Sequence, residues 1–167
     1  RNNAISHRVF DSSRGAGVRL FTNNDSGQST HTPSVTSFDS NGFSVGDGTS
    51  VNENNDTYVA WQWKSGGGTT STNNDGSVAV TLQTNTTAGF SIGTYTGTGS
   101  QLTIGHGLGV APKVHITKKL NSADAWNVYH ESNGNTHGLR LNGTGAKEDF
   151  GFYGDTSPTS SVFTVGG

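Results

Sequence analysis

The chain has neither cysteine nor methionine among its 167 residues, and only three prolines. Without a thiol there is no disulfide framework, no thiolate zinc site and no cysteine nucleophile. The lack of methionine even at position 1 points to a processed or excerpted piece. Charge is equally thin. Ten Lys and Arg stand against twelve Asp and Glu, a formal net charge of −2 with no basic run. The long-range attraction that nucleic acid or an anionic membrane surface requires is therefore missing, and neither is expected as a partner. No apolar stretch approaches the roughly 20 residues of a membrane-spanning helix, so membrane insertion is not expected either. Hydrophobic residues make up 29%, short of the roughly 45–50% of an average globular chain.

What is present is Gly, Ser, Thr and Asn, with 25 glycines and fifteen aromatic residues. Low net charge together with that aromatic content sets the chain apart from disordered sequence. Scarce helix formers and frequent turn residues describe short strands joined by long polar loops. The expected fold is an all-β, antiparallel β-sandwich, jelly-roll-like, with almost no helix. A thin apolar complement lets each sheet bury one face only, so a homo-oligomer is expected, a trimer above other states.

Alternation marks the strands. In "TYVAWQWK" it places Val59, Trp61 and Trp63 on one face, which makes Trp61 and Trp63 the expected core aromatics. "SVAVTLQT" turns Val78, Val80 and Leu82 inward, and "FSIGTYT" turns Phe90 and Ile92 inward with Tyr95 opposite. In "KVHITKKL", Val114 and Ile116 are expected to face the core, and Lys113, His115 and Thr117 to face water or a partner. Asn41-Gly42, Asp47-Gly48, Asp75-Gly76, Asn133-Gly134 and Asn142-Gly143 are expected to supply positive φ at turns. "SGGGTTSTNNDGS", residues 65–77, reads as a flexible connection.

The segments on either side of that connection echo one another. "RVFDSSRGAGVRL" resembles "NVYHESNGNTHGLRL", with Val9 and Val128 separated by 119 positions, and "TSFDSNGFSVGDG" resembles "DTSPTSSVFTVGG", with Phe43 and Phe163 separated by 120. A nearly constant offset describes a domain-sized repeat. Residues 1–64 are then the closing part of one unit and 78–167 the opening part of the next, either separate or packed together as one sandwich.

"TIGHGLGVAPKVHITKK" carries glycines at 105, 107 and 109 but opens no helix, and the chain has no Gly-Lys-Ser/Thr. Phosphate binding is not expected there. The stretch reads instead as a tight corner feeding an edge strand guarded by Lys118 and Lys119. The six histidines lack metal-ligand spacing. Asp11, Glu131, Glu148 and Asp149 show no spacing that would make them a glycosidase pair. No cofactor and no catalytic or metal residue is expected. Tyr95, Trp126, Tyr129 and Tyr153 are the candidates for an exposed aromatic surface that contacts glycan or a partner.

"NNDTYVAWQWKSGGG", "GFSIGTYTGTGSQLTIGHGLGVAPKVHITKK", "WNVYHES" and "PTSSVFTVGG" resemble, in that order, a repeat domain of tail-fibre and other virion proteins of marine and cyanobacterial phages. The resemblance extends to "FDSSRGAG" and "FDSNGFSVG" and covers most of the chain. It implies a non-catalytic, β-rich structural module on the virion surface, with other virion proteins as partners; any contact with the host surface, a glycan among the options, is expected through the exposed loops. The alternative from another class is a carbohydrate-binding module of a secreted or virion enzyme.

Overall fold

A strand pattern becomes a strand only where a second segment offers its backbone, and the computed structural model shows where that happens. It describes residues 5–149 and 151–166; Ala4 and Phe150, within the stretches "AISHRVF" and "DFGFYG" that also read as strand candidates in the sequence, lie outside the described residues. The fold is all-β, with several small antiparallel sheets, 35% strand and 4% helix.

The chain divides into two compact units. One runs to Gln62 and takes in residues 118–126 and 141–143; the other holds 63–117, 127–140 and 144 onward. The return of 118–126 to the first unit is a long-range event that no local pattern announces, and it replaces the simple division expected at 65–77.

In the first unit, β1 (Arg8–Val9), β2 (Val18–Phe21) and β3 (Ser29–Thr30) make one sheet, and β4 (Val35–Asp39) and β5 (Gly42–Val45) make a hairpin with a bulge between Val35 and Ser37. One four-residue helix follows, α1 (Thr49–Asn52). Leu20 and Val35 are buried, and the buried Ser34 hydroxyl lies 2.7 Å from His31 Nδ1. The Gly48 N–H donates to the Pro33 carbonyl at 2.8 Å, and a Cβ on Gly48 would lie 2.6 Å from that oxygen. Glycine is needed here for close backbone approach rather than for a left-handed turn.

The second unit contains β6 (Ser71–Asn73), β7 (Val80–Asn85), β8 (Phe90–Thr94), β9 (Leu102–Gly105), β12 (His137–Arg140), β13 (Glu148–Asp149) and β14 (Val162–Val165), with all of β10 (Val114–Lys118) but Lys118 and all of β11 (Trp126–His130) but Trp126. They form the sheets β6-β7-β8, β14-β9 and β10-β11-β12-β13. Val80 and Leu82 of β7 meet Leu102 and Ile104 of β9 and Val165 of β14 in one buried cluster, with Val78, Tyr95, Phe152 and Phe163 packed around it. Two sheets thus share one apolar layer, as in a sandwich. The inward faces expected for Val78, Val80 and Leu82 are the ones observed.

Four expectations give way. Residues 58–64 form no strand, and Trp61 and Trp63 are 74% and 68% exposed, so they are not core aromatics. In β10 the faces are inverted: Val114 and Ile116 are 46% and 50% exposed, while His115 packs among aromatic rings. Residues 65–77 are more than a connection, since β6 pairs with β7 and the Gly68 N–H donates to the buried Gln83 Oε1 at 2.9 Å. Of the five expected turn glycines only Gly134 has positive φ. Gly76 instead brings its backbone against Thr103, where a Cβ would collide with the Thr103 carbonyl oxygen.

Candidate functional site

β10 ends its sheet, as its flanking lysines implied, and its inward face builds an aromatic box in the second unit. The His115 ring stacks on Phe163 at 4.3 Å and on Tyr129 at 4.9 Å, and meets the edge of Tyr153 at 5.1 Å. Burial holds the His115 imidazole down at about 4, with His106 adding to the effect. Its Nδ1 is buried without a hydrogen-bond partner among the described residues. Burial also pushes the Tyr153 phenol well above its ordinary value and raises Tyr129, where Glu131 adds to it. These groups are enclosed, and burial favours the neutral form of each.

His106 stacks on Phe163 from 6.5 Å. Its Nδ1 accepts from the Leu108 N–H at 3.1 Å, which leaves Nε2–H to donate to the Thr159 carbonyl at 3.3 Å. Burial lowers its pKa against the opposing pull of that carbonyl and of Asp75. The "GHGLG" corner is therefore held by its own histidine, with Gly107 and Gly109 at φ of +68° and +75°.

Three of the four aromatics expected on the surface lie inside. Tyr129 and Tyr153 line the box, at 4% and 1% exposure. Trp126 is buried in the first unit, where Nε1–H donates to the Phe21 carbonyl at 2.8 Å and its own N–H donates to Asn142 Oδ1 at 2.9 Å. Arg8 and Arg19 lie over the Phe21 ring at 5.4 and 5.1 Å. None of these three side chains is free to stack on a sugar.

Tyr95 is different. Half-buried, with its phenol pKa raised by burial, it borders a shallow cleft of about 360 Å³ lined also by Thr98, Ser100, Gln101, Phe152 and Val165. A smaller recess of about 210 Å³ lies along Ala79, Thr81, Thr94 and Thr96, also beside Tyr95. An aromatic ring amid hydroxyl and amide groups is the lining that a neutral polyhydroxyl ligand uses.

Three of the four acids considered as a catalytic pair stand in ion pairs with basic side chains. Asp11 meets Arg14 and Glu131 meets Lys113 at 2.8 Å, while Glu148 lies 3.4 Å from Arg140. Among the described residues no group of three or more His, Asp or Glu could hold a metal ion, and no helix is long and apolar enough to cross a membrane.

The feature that alternation did not reveal is the exposed segment 58–62, with Val59 and Trp61 in water. Tyr58 ties it to the first unit, its hydroxyl donating to the Thr49 carbonyl at 3.2 Å and accepting from the Glu53 N–H at 2.9 Å. Trp63, in the second unit, stacks loosely on Phe90 at 6.4 Å.

No curated protein and no solved structure matches this chain. One family model does, over residues 1–167, described as Domain of unknown function (DUF7483), and the chain belongs to that family.

Proposed function

We propose that this chain is a non-catalytic structural module of a phage virion, part of a tail fibre, spike or capsid-attached fibre, and that it packs on other virion proteins. The observation that carries the reading is the exposure of Trp61 and Trp63 in a chain so poor in apolar residues. Large aromatics left in water are the mark of a surface that is covered on assembly. Small antiparallel sheets with long polar loops suit display and adhesion better than a deep reaction pocket. The resemblance of its sequence blocks to phage repeat domains supports a virion location.

Mass spectrometry of purified particles tests this. Peptides of this chain should copurify with the particle at the stoichiometry of a fibre component. Their confinement to the soluble fraction of an infected lysate would contradict the reading.

A second reading, a carbohydrate-binding module, is favoured by one observation, the Tyr95 cleft. It requires saturable binding on a glycan array that is lost in Tyr95→Ala.

A further inference from the structure

A β-strand needs alternating side chains and a ladder of backbone hydrogen bonds, and residues 58–62 have the first without the second. Val59 and Trp61 share one face, and Tyr58, Ala60 and Gln62 the other. Among the described residues, no backbone N–H or C=O from Val59 to Gln62 takes a hydrogen bond, and Val59 and Trp61 are 68% and 74% exposed. The segment alternates like a strand in sequence and belongs to no sheet in the structure.

The same chain carries such an edge. β10 is terminal in its sheet and five residues long, the length of 58–62. Its exposed face bears Val114 and Ile116, which a neighbouring strand with Val59 and Trp61 would extend into one apolar row. Charge favours one direction through Lys119, while Lys118 already faces Asp25 and Asp124 of its own chain. Glu53 and Asp56 precede the segment, and Lys118 and Lys119 close β10. An antiparallel arrangement brings those acids to Lys119, whereas a parallel one would place Lys64 beside it.

We infer that residues 58–62 of one copy add as an antiparallel strand to the open edge of β10 in a second copy of this chain. This is β-augmentation, in which the backbone supplies affinity and the alternate side chains supply register. The inference goes beyond the virion reading, whose test is the composition of the particle.

Sedimentation of the full chain over a range of concentrations tests it. The wild type should form dimers or larger species that dissociate on dilution. Ala60→Pro removes a ladder N–H from a segment that belongs to no sheet in the single chain, so it should leave the far-ultraviolet circular dichroism unchanged and shift the mass to that of one chain. Ile116→Lys, at an exposed position on the receiving edge, should do the same. Mixing the two variants should restore a dimer, since one keeps the edge and the other keeps the donor. A wild type that stays monomeric throughout overturns the inference, and so does an Ala60→Pro chain that assembles like the wild type. Loss of assembly in Ala60→Pro but not in Ile116→Lys would overturn the assignment to β10.

Discussion

The imidazole of His115 lies nearly flat against the ring of Phe163, centroids 4.3 Å apart and planes 24° from parallel. The unfolded chain binds a proton at this residue near the usual 6.5, whereas the folded chain holds it neutral down to about 4. Between those values the unfolded state carries the extra proton. Stability is therefore full above about pH 6.5, falls as pH drops through the window, and has lost on the order of 3 kcal/mol by about pH 4. His115→Phe, which keeps the stack and removes the proton site, should flatten that part of the curve. Urea unfolding of both chains at several pH values checks it, and equal slopes would remove His115 as the cause.

The tryptophans should separate by environment. Trp126→Ala empties a buried site and strands the Phe21 carbonyl, a loss of about 3–5 kcal/mol. Trp61→Ala in the monomeric chain should fall within about 0.5 kcal/mol of wild type. Acrylamide quenching of single-tryptophan chains offers an independent reading, with Trp61 and Trp63 readily quenched and Trp126 protected. Comparable quenching at all three would contradict the placement.

Glycine substitutions should divide in the same way. Gly76→Ala drives a methyl into the Thr103 carbonyl, and Gly105→Ala drives one into Asn73 Oδ1. Each should destabilise by roughly 1–3 kcal/mol, as overpacking does. Gly97→Ala meets no atom within 4 Å and has no positive φ, so thermal unfolding should barely move.

The sequence alone revealed the all-β class and the inner face of β7, because Val78, Val80 and Leu82 alternate beside β6 and β8, which supply partners locally. It misled at Val59, Trp61 and Trp63, where the same alternation has no sheet to join. Periodicity says which side chains share a face and is silent on whether that face is covered. β10 shows the converse, since two apolar residues and one histidine compete for the interior. The contest is settled by Tyr129, Tyr153 and Phe163, which arrive from 14 to 48 positions away. Trp126, Tyr129 and Tyr153 were misplaced for the same reason: their burial depends on partners distant in the chain, such as the Phe21 carbonyl.

Two of the segments that echo one another in sequence form hairpins. β1 and β2 pair Val9 with Leu20, and β11 and β12 pair Val128 with Leu139. Both members of the pair are displaced by 119 positions, so the two hairpins share one register. β5 and β14 occupy equivalent stretches, 42–45 and 162–165, yet pair differently, β5 with β4 and β14 with β9.

The central claim is the contrast between a ladder-bonded interior and a strand-like segment left without a ladder. Amide hydrogen exchange, run at a dilution where the chain is monomeric, reads both at once. Amides in β7, β9 and β14 should be protected to the limit set by global unfolding, and those of Val59 to Gln62 should exchange at the rate of free peptide. Strong protection across 58–62 in the single chain, or its loss across 80–85, would contradict the account.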